Sequence, residues 1–166
     1  MANKQNFNPD EWNKILQSTM LAGIAITAAE PSGLWGALKE AFASSSALAA
    51  AKSNTSSSEL IKAVVSDFET KEGRASIQEA LRQHLAGAKP ADAVQRSLAN
   101  LREVSAILDA KAPQDATGFK TWLRAISQNV ADASSEGGFL GIGGVKVSES
   151  EKATLAEISK ALGTTA

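Results

Sequence analysis

NPDEWNKILQSTMLAGIAITAA, residues Asn8 to Ala29, opens like a helix and stays apolar to its end. Asn8 suits the N-cap, Pro9 the first helical position, and Glu11 is placed to reach back to the cap backbone as in a capping box. Trp12, Leu16, Met20, Ile24 and Thr27 follow one stripe at helical spacing, and Ile15, Ala22 and Ile26 widen it. From Met20 to Ala29 almost no polar face remains. A helix apolar all round is a buried one, so the stretch predicts either a central helix or an oligomer contact.

The same stretch imitates a targeting signal, because Ile15 to Ala29 is uncharged, follows Lys14 and ends in Thr27-Ala28-Ala29. Asp10 and Glu11 stand where a signal peptide carries positive charge, and Gln17-Ser18-Thr19 interrupt the apolar run. A membrane span needs about 20 apolar residues, more than this run supplies. It reads as a structural helix.

Working outward, Asn8 marks the end of a short leading segment, so residues 1–8 are expected to be flexible. Downstream, Glu30-Pro31-Ser32-Gly33 breaks the helix, since proline cannot continue the ladder behind it. A second helix is expected through Leu34, Leu38, Phe42 and Leu48, then a polar linker from Ser53 to Ser58. Ser57 or Ser58 suits the cap of a helix carrying Ile61, Val64, Val65 and Phe68. A bend over Glu69 to Gly73 leads to a shorter helix through Ile77, Leu81 and Leu85, which Gly87 suits to close in the left-handed conformation.

Pro90 opens a longer helix with Val94, Leu98, Leu101 and Leu108 inside, and Pro113 stops it. Asp115 or Thr117 is expected to start the next, where Phe119, Trp122, Leu123, Ile126 and Val130 form the densest apolar stripe. A glycine-rich loop, GGFLGIGGVKV from Gly137 to Val147, precedes a last helix. That helix has a second capping-box pattern at Ser148 and Glu151, then Leu155, Ile158 and Leu162, with Gly163 after it. The expectation is an all-α, single-domain bundle of six or seven helices over residues 1–166, with 164–166 flexible.

Composition narrows function more than it names it. Of 166 residues, 43% are hydrophobic, in keeping with one globular domain, but only 5% are aromatic. Seventeen Lys and Arg balance 18 Asp and Glu, so no global field draws in nucleic acid or an anionic membrane. There is no cysteine and one histidine, which removes thiolate chemistry and the usual zinc and diiron ligand sets. A calcium loop starting at Asp67 would need glycine where Glu72 stands and glutamate where Gln78 stands, so Asp67, Glu69 and Glu72 read as a solvated turn. His84, beside Leu85 near a helix end, reads as a boundary residue. No G-x-S-x-G elbow anchors a Ser-His-Asp site. No metal, cofactor or catalytic residue is assigned.

The glycine-rich loop admits two readings: a phosphate cradle before a helix N-terminus, or a plug that inserts Phe139, Leu140 and Ile142 into the bundle. The Walker pattern fails, because Gly143 is followed by Gly144 and Val145, and the plug is favoured. Trp12, Trp35 and Trp122 lie at or beside apolar stripes and read as core, with Trp35 at an edge.

The stretch EGGFLGIGGVKVSESEKATLAEISKALG, Glu136 to Gly163, resembles the ending of a group of uncharacterised bacterial helical proteins. AAEPSGLWGALKEA (Ala28 to Ala41) and IKAVVSDFETKEGR (Ile61 to Arg74) are similar to the same group. The resemblance implies an intracellular, bacterial protein and carries no activity or site.

Together these features lead to a non-enzymatic, cytoplasmic helical protein acting through protein–protein contact, above all self-association. Trp35, Ile24, Ile26, Phe139, Leu140 and Ile142 are its expected contact residues for a partner or ligand. The alternative is a module holding a small apolar ligand between helices, and the third reading is an enzyme without a recognisable motif. Neither nucleic acid nor a transmembrane segment is expected.

Overall fold

The computed structural model describes residues 2–29, 58–136 and 147–164. Within them a 3-10 turn, Lys4–Asn6, is followed by six α-helices: α1 Pro9–Ala29, α2 Glu59–Glu69, α3 Lys71–His84, α4 Pro90–Lys111, α5 Pro113–Glu136 and α6 Glu149–Leu162. The described chain is all-α, as the periodicity predicts. The helix expected through Leu34 and Leu48, and the glycine loop from Gly137 to Lys146, lie outside the described residues.

α1 is the centre of the bundle. It packs most extensively on α4, then on α5, α6 and α3. Its start follows the sequence: Asn8 Oδ1 accepts the Glu11 N–H at 2.9 Å, and Glu11 Oε2 accepts the Asn8 N–H at 2.8 Å. Two buried polar residues just ahead of its apolar half are bonded, because Ser18 and Thr19 donate to the Ile15 and Leu16 carbonyls of their own helix. Every residue from Ser18 to Ala28 is buried. The wide apolar face is thus a central helix covered by its own chain.

α4 runs antiparallel to α1, with Lys111 donating to Glu11 at one end and Lys14 to Glu103 further along. The hydrogen bond from Lys111 and then that from the Asn8 backbone hold the Glu11 carboxyl below the usual range. That contribution to stability is present above the ordinary carboxylate pKa and is lost as pH falls through the lowered one. Ser127 of α5 donates across to the Ala22 carbonyl of α1, and Arg124 reaches Ser159 of α6 at 2.9 Å.

Helix ends account for much of the order. Ser148 and Glu151 form the expected capping box on α6. Gly163 sits at φ 68°, its N–H bonds to Lys160 and the Thr164 N–H to Ser159, a Schellman closure. Thr164, expected to be flexible, is therefore part of the cap. Gly87 also takes a left-handed φ, 67°, where α3 turns into α4. α5 starts at Pro113, earlier than the Asp115 or Thr117 expected, because Pro113 is itself a good first helical residue.

Three buried polar atoms among the described residues have no hydrogen-bond partner: Ser97 Oγ, Asn100 Oδ1 and Trp122 Nε1. Ser97 is the simplest test, since its residue is 0% exposed. An unmatched buried hydroxyl is a penalty, so Ser97→Ala is expected to raise stability by about 1 kcal/mol. In thermal unfolding that is a gain of roughly 2–4 °C for a chain of this size. A lower melting temperature would show that the hydroxyl is bonded.

Candidate functional site

The N-terminal segment departs from expectation first. Residues 2–8 are not a loose end: Ala2 and Phe7 are buried, and the Ala2 N–H donates to Asp115 Oδ2 at 2.6 Å. Asn3 caps the 3-10 turn through the Gln5 N–H. Phe7 precedes the Asn8 cap and packs on Trp12, the fourth helical residue, with ring centroids 5.9 Å apart. That is a hydrophobic staple, which fixes the angle at which the chain enters α1.

The staple brings Trp12 to the end of α2. Asp67 Oδ2 there accepts from the Trp12 indole N–H at 2.7 Å and from Lys4 Nζ at 2.8 Å. Lys4 Nζ also lies 5.9 Å from the Trp12 ring centroid, within reach of a cation–π contact. One carboxylate oxygen thus holds an ammonium and an indole together.

The joint between α2 and α3 forms the facing wall. Only Thr70 separates the two helices. Its hydroxyl donates to the Asp67 carbonyl and accepts the Gly73 N–H at 2.9 Å, so one side chain closes α2 and caps α3. Arg74 adds hydrogen bonds to the Phe68 and Glu69 carbonyls, placing a cation at the negative end of α2. Gly73 is needed for space. A Cβ built there would sit 2.0 Å from the Asp67 carbonyl oxygen and 2.7 Å from Thr70 Oγ1.

Alanine normally improves on glycine inside a helix. Here Gly73→Ala is expected to have the opposite sign, a loss of about 1–3 kcal/mol, the usual cost of overpacking. Urea unfolding reads it directly. Unchanged or higher stability would mean that the joint opens freely.

Between these walls lies a cleft of about 360 Å³. Phe7, Trp12 and Leu16 give it an apolar side; Lys4, Asp67 and Glu72 line it with charge. Two carboxylates against one ammonium leave the lining net negative.

No family model, curated protein or solved structure matches the chain.

The sequence-predicted contact residues fall elsewhere. Ile24 and Ile26 are 3% and 0% exposed in the core, so they are packing residues of the single chain and offer no contact surface. Trp35, Phe139, Leu140 and Ile142 lie outside the described residues. His84 stands at the α3–α4 boundary, where Arg96 donates to its backbone carbonyl at 2.8 Å and its Nε2 lies 3.3 Å from the Arg96 carbonyl. Among the described residues no cluster of three His, Asp or Glu side chains is placed to hold a metal, and no helix is long and apolar enough to cross a membrane.

The residues that build the cleft were readable only in part. Asn8 and Glu11 announce the cap, and a bulky apolar residue just before it, Phe7, is the staple signal that points to Trp12. Asp67 is 55 residues from Trp12 in sequence, and no local pattern pairs them.

Proposed function

We propose that the protein is a helical binding module, and that the cleft between the N-terminal turn, α1 and α3 takes a small ligand with an apolar body. The observation that carries this is an aromatic and aliphatic wall, Phe7, Trp12 and Leu16, beside a carboxylate held by two donors. Ligand sites combine such a wall with a few fixed polar groups, in volumes of about 300–1,000 Å³. The cleft falls at the small end of that range.

Among the functional classes open to the sequence, this reading replaces self-association through α1, whose apolar face is covered inside the bundle. Action by binding rather than by chemistry, a cytoplasmic location and kinship with the bacterial helical group belong to the same proposal.

An uncharged fluorescent probe of apolar sites, N-phenyl-1-naphthylamine, tests it. Emission is expected to rise and shift to the blue on addition of the protein. Ser76 is exposed and lines the cleft, so Ser76→Trp is expected to block the probe while leaving the melting temperature unchanged. An absent signal, or one indifferent to Ser76→Trp in a folded protein, would overturn the proposal.

A further inference from the structure

We infer that the ligand of this cleft is a small organic cation, a primary ammonium carrying an apolar body, and that Lys4 occupies its place in the free protein. The inference rests on the binding role proposed above and adds the charge of the ligand and a built-in competitor.

Lys4 shows which chemistry the site accepts. Its ammonium takes a hydrogen bond acceptor, Asp67 Oδ2, and an aromatic neighbour, the Trp12 ring, at the same time. A carboxylate beside an aromatic face is a recognised way to hold an alkylammonium. The same Asp67 oxygen also accepts from the Trp12 indole N–H, a tether that does not depend on Lys4. Glu72 adds a second negative charge to the lining, which again favours a cation.

Lys4 is also easily displaced. Its side chain is 60% exposed whereas Asp67 is 22% exposed, so the pair lies at the rim, where ion pairs contribute little. The lysine is tethered close by, however, and a tethered group competes at high effective concentration. A ligand has to bring the same ammonium and, in addition, cover the apolar side that the lysine stem leaves open. Neutral ligands meet no such competition, because they do not need the Asp67 oxygen.

The test compares benzylammonium with benzyl alcohol, which share the ring and differ in charge. Binding is followed by the Trp12 indole N–H resonance, assigned by its disappearance in Trp12→Phe. Lys4→Met keeps the stem and removes the charge. It is expected to tighten benzylammonium binding by about fivefold to tenfold over the unmodified protein, from lost competition and a more negative lining. Benzyl alcohol is expected to change by less than about twofold, since it engages no charge. Asp67→Asn, which retains an acceptor for the indole, is expected to abolish the gain when combined with Lys4→Met. Should the double variant not fold, added salt serves instead, weakening benzylammonium binding and sparing benzyl alcohol. Equal affinities of Lys4→Met for the two probes, or no tightening of benzylammonium, would overturn the inference. If N-phenyl-1-naphthylamine still binds in that case, the apolar cleft stands and only its charge preference falls.

Discussion

Phe119→Ala is expected to lower the free energy of unfolding by about 3–5 kcal/mol, the range for removing a buried phenylalanine. Phe119 is fully buried on α5 and meets Trp122 edge-on, with ring centroids 5.3 Å apart. With so few aromatic residues in the chain, the bundle has little other large apolar area to compensate. α5 touches α1, α4 and α6, so a hole at Phe119 is enclosed by several helices and has little room to collapse. Urea denaturation with a common slope for both proteins gives the difference. A loss below about 1 kcal/mol, far under the buried-phenylalanine range, would mean that Phe119 is not core.

Ile26→Ala is the second large effect, about 2–5 kcal/mol by the same reasoning. Its value lies in what stays constant. Ile26 is 0% exposed inside the bundle, so the truncation is expected to lower stability and leave the mass in solution unchanged. Ile24→Ala is expected to behave alike, since it is nearly as buried. Sedimentation alongside thermal unfolding separates the outcomes. A change of oligomeric mass, or a melting temperature that depends on protein concentration only before substitution, would return α1 to the role of a contact surface.

How legible these features are depends on how far apart their parts lie. The start of α1, the start of α6, the Pro90 start and the Gly163 closure all rest on residues within a few positions of one another, and each reads correctly from the sequence. The burial of α1 follows from its missing polar face. What periodicity cannot decide is whether such a face meets its own chain or another copy, because both remove it from water equally well. The turn over Glu69 to Gly73 is read as a solvated bend. In the fold it contracts to a single residue, because Thr70 satisfies groups on both sides and Gly73 lets the backbones approach.

The cleft is harder to read for the same reason. Trp12 belongs to the apolar stripe, and its position there says nothing about its N–H. Asp67 looks like one acidic residue of a polar turn. Their pairing spans 55 residues and the arrival of Lys4 spans 63, in a segment whose own anchor at Asp115 spans 113.

That anchor has a kinetic consequence. Asp115 accepts from Ala2 at one oxygen and from the Ser58 hydroxyl at the other, gathering two distant stretches of chain at the first turn of α5. Closing a loop of that length costs entropy before its contacts are gained. One wall of the cleft is the segment that Asp115 secures. On the binding role proposed above, a local release of residues 2–8 would open the cleft with the six helices still assembled, and ligand exchange would not have to wait for the bundle to unfold.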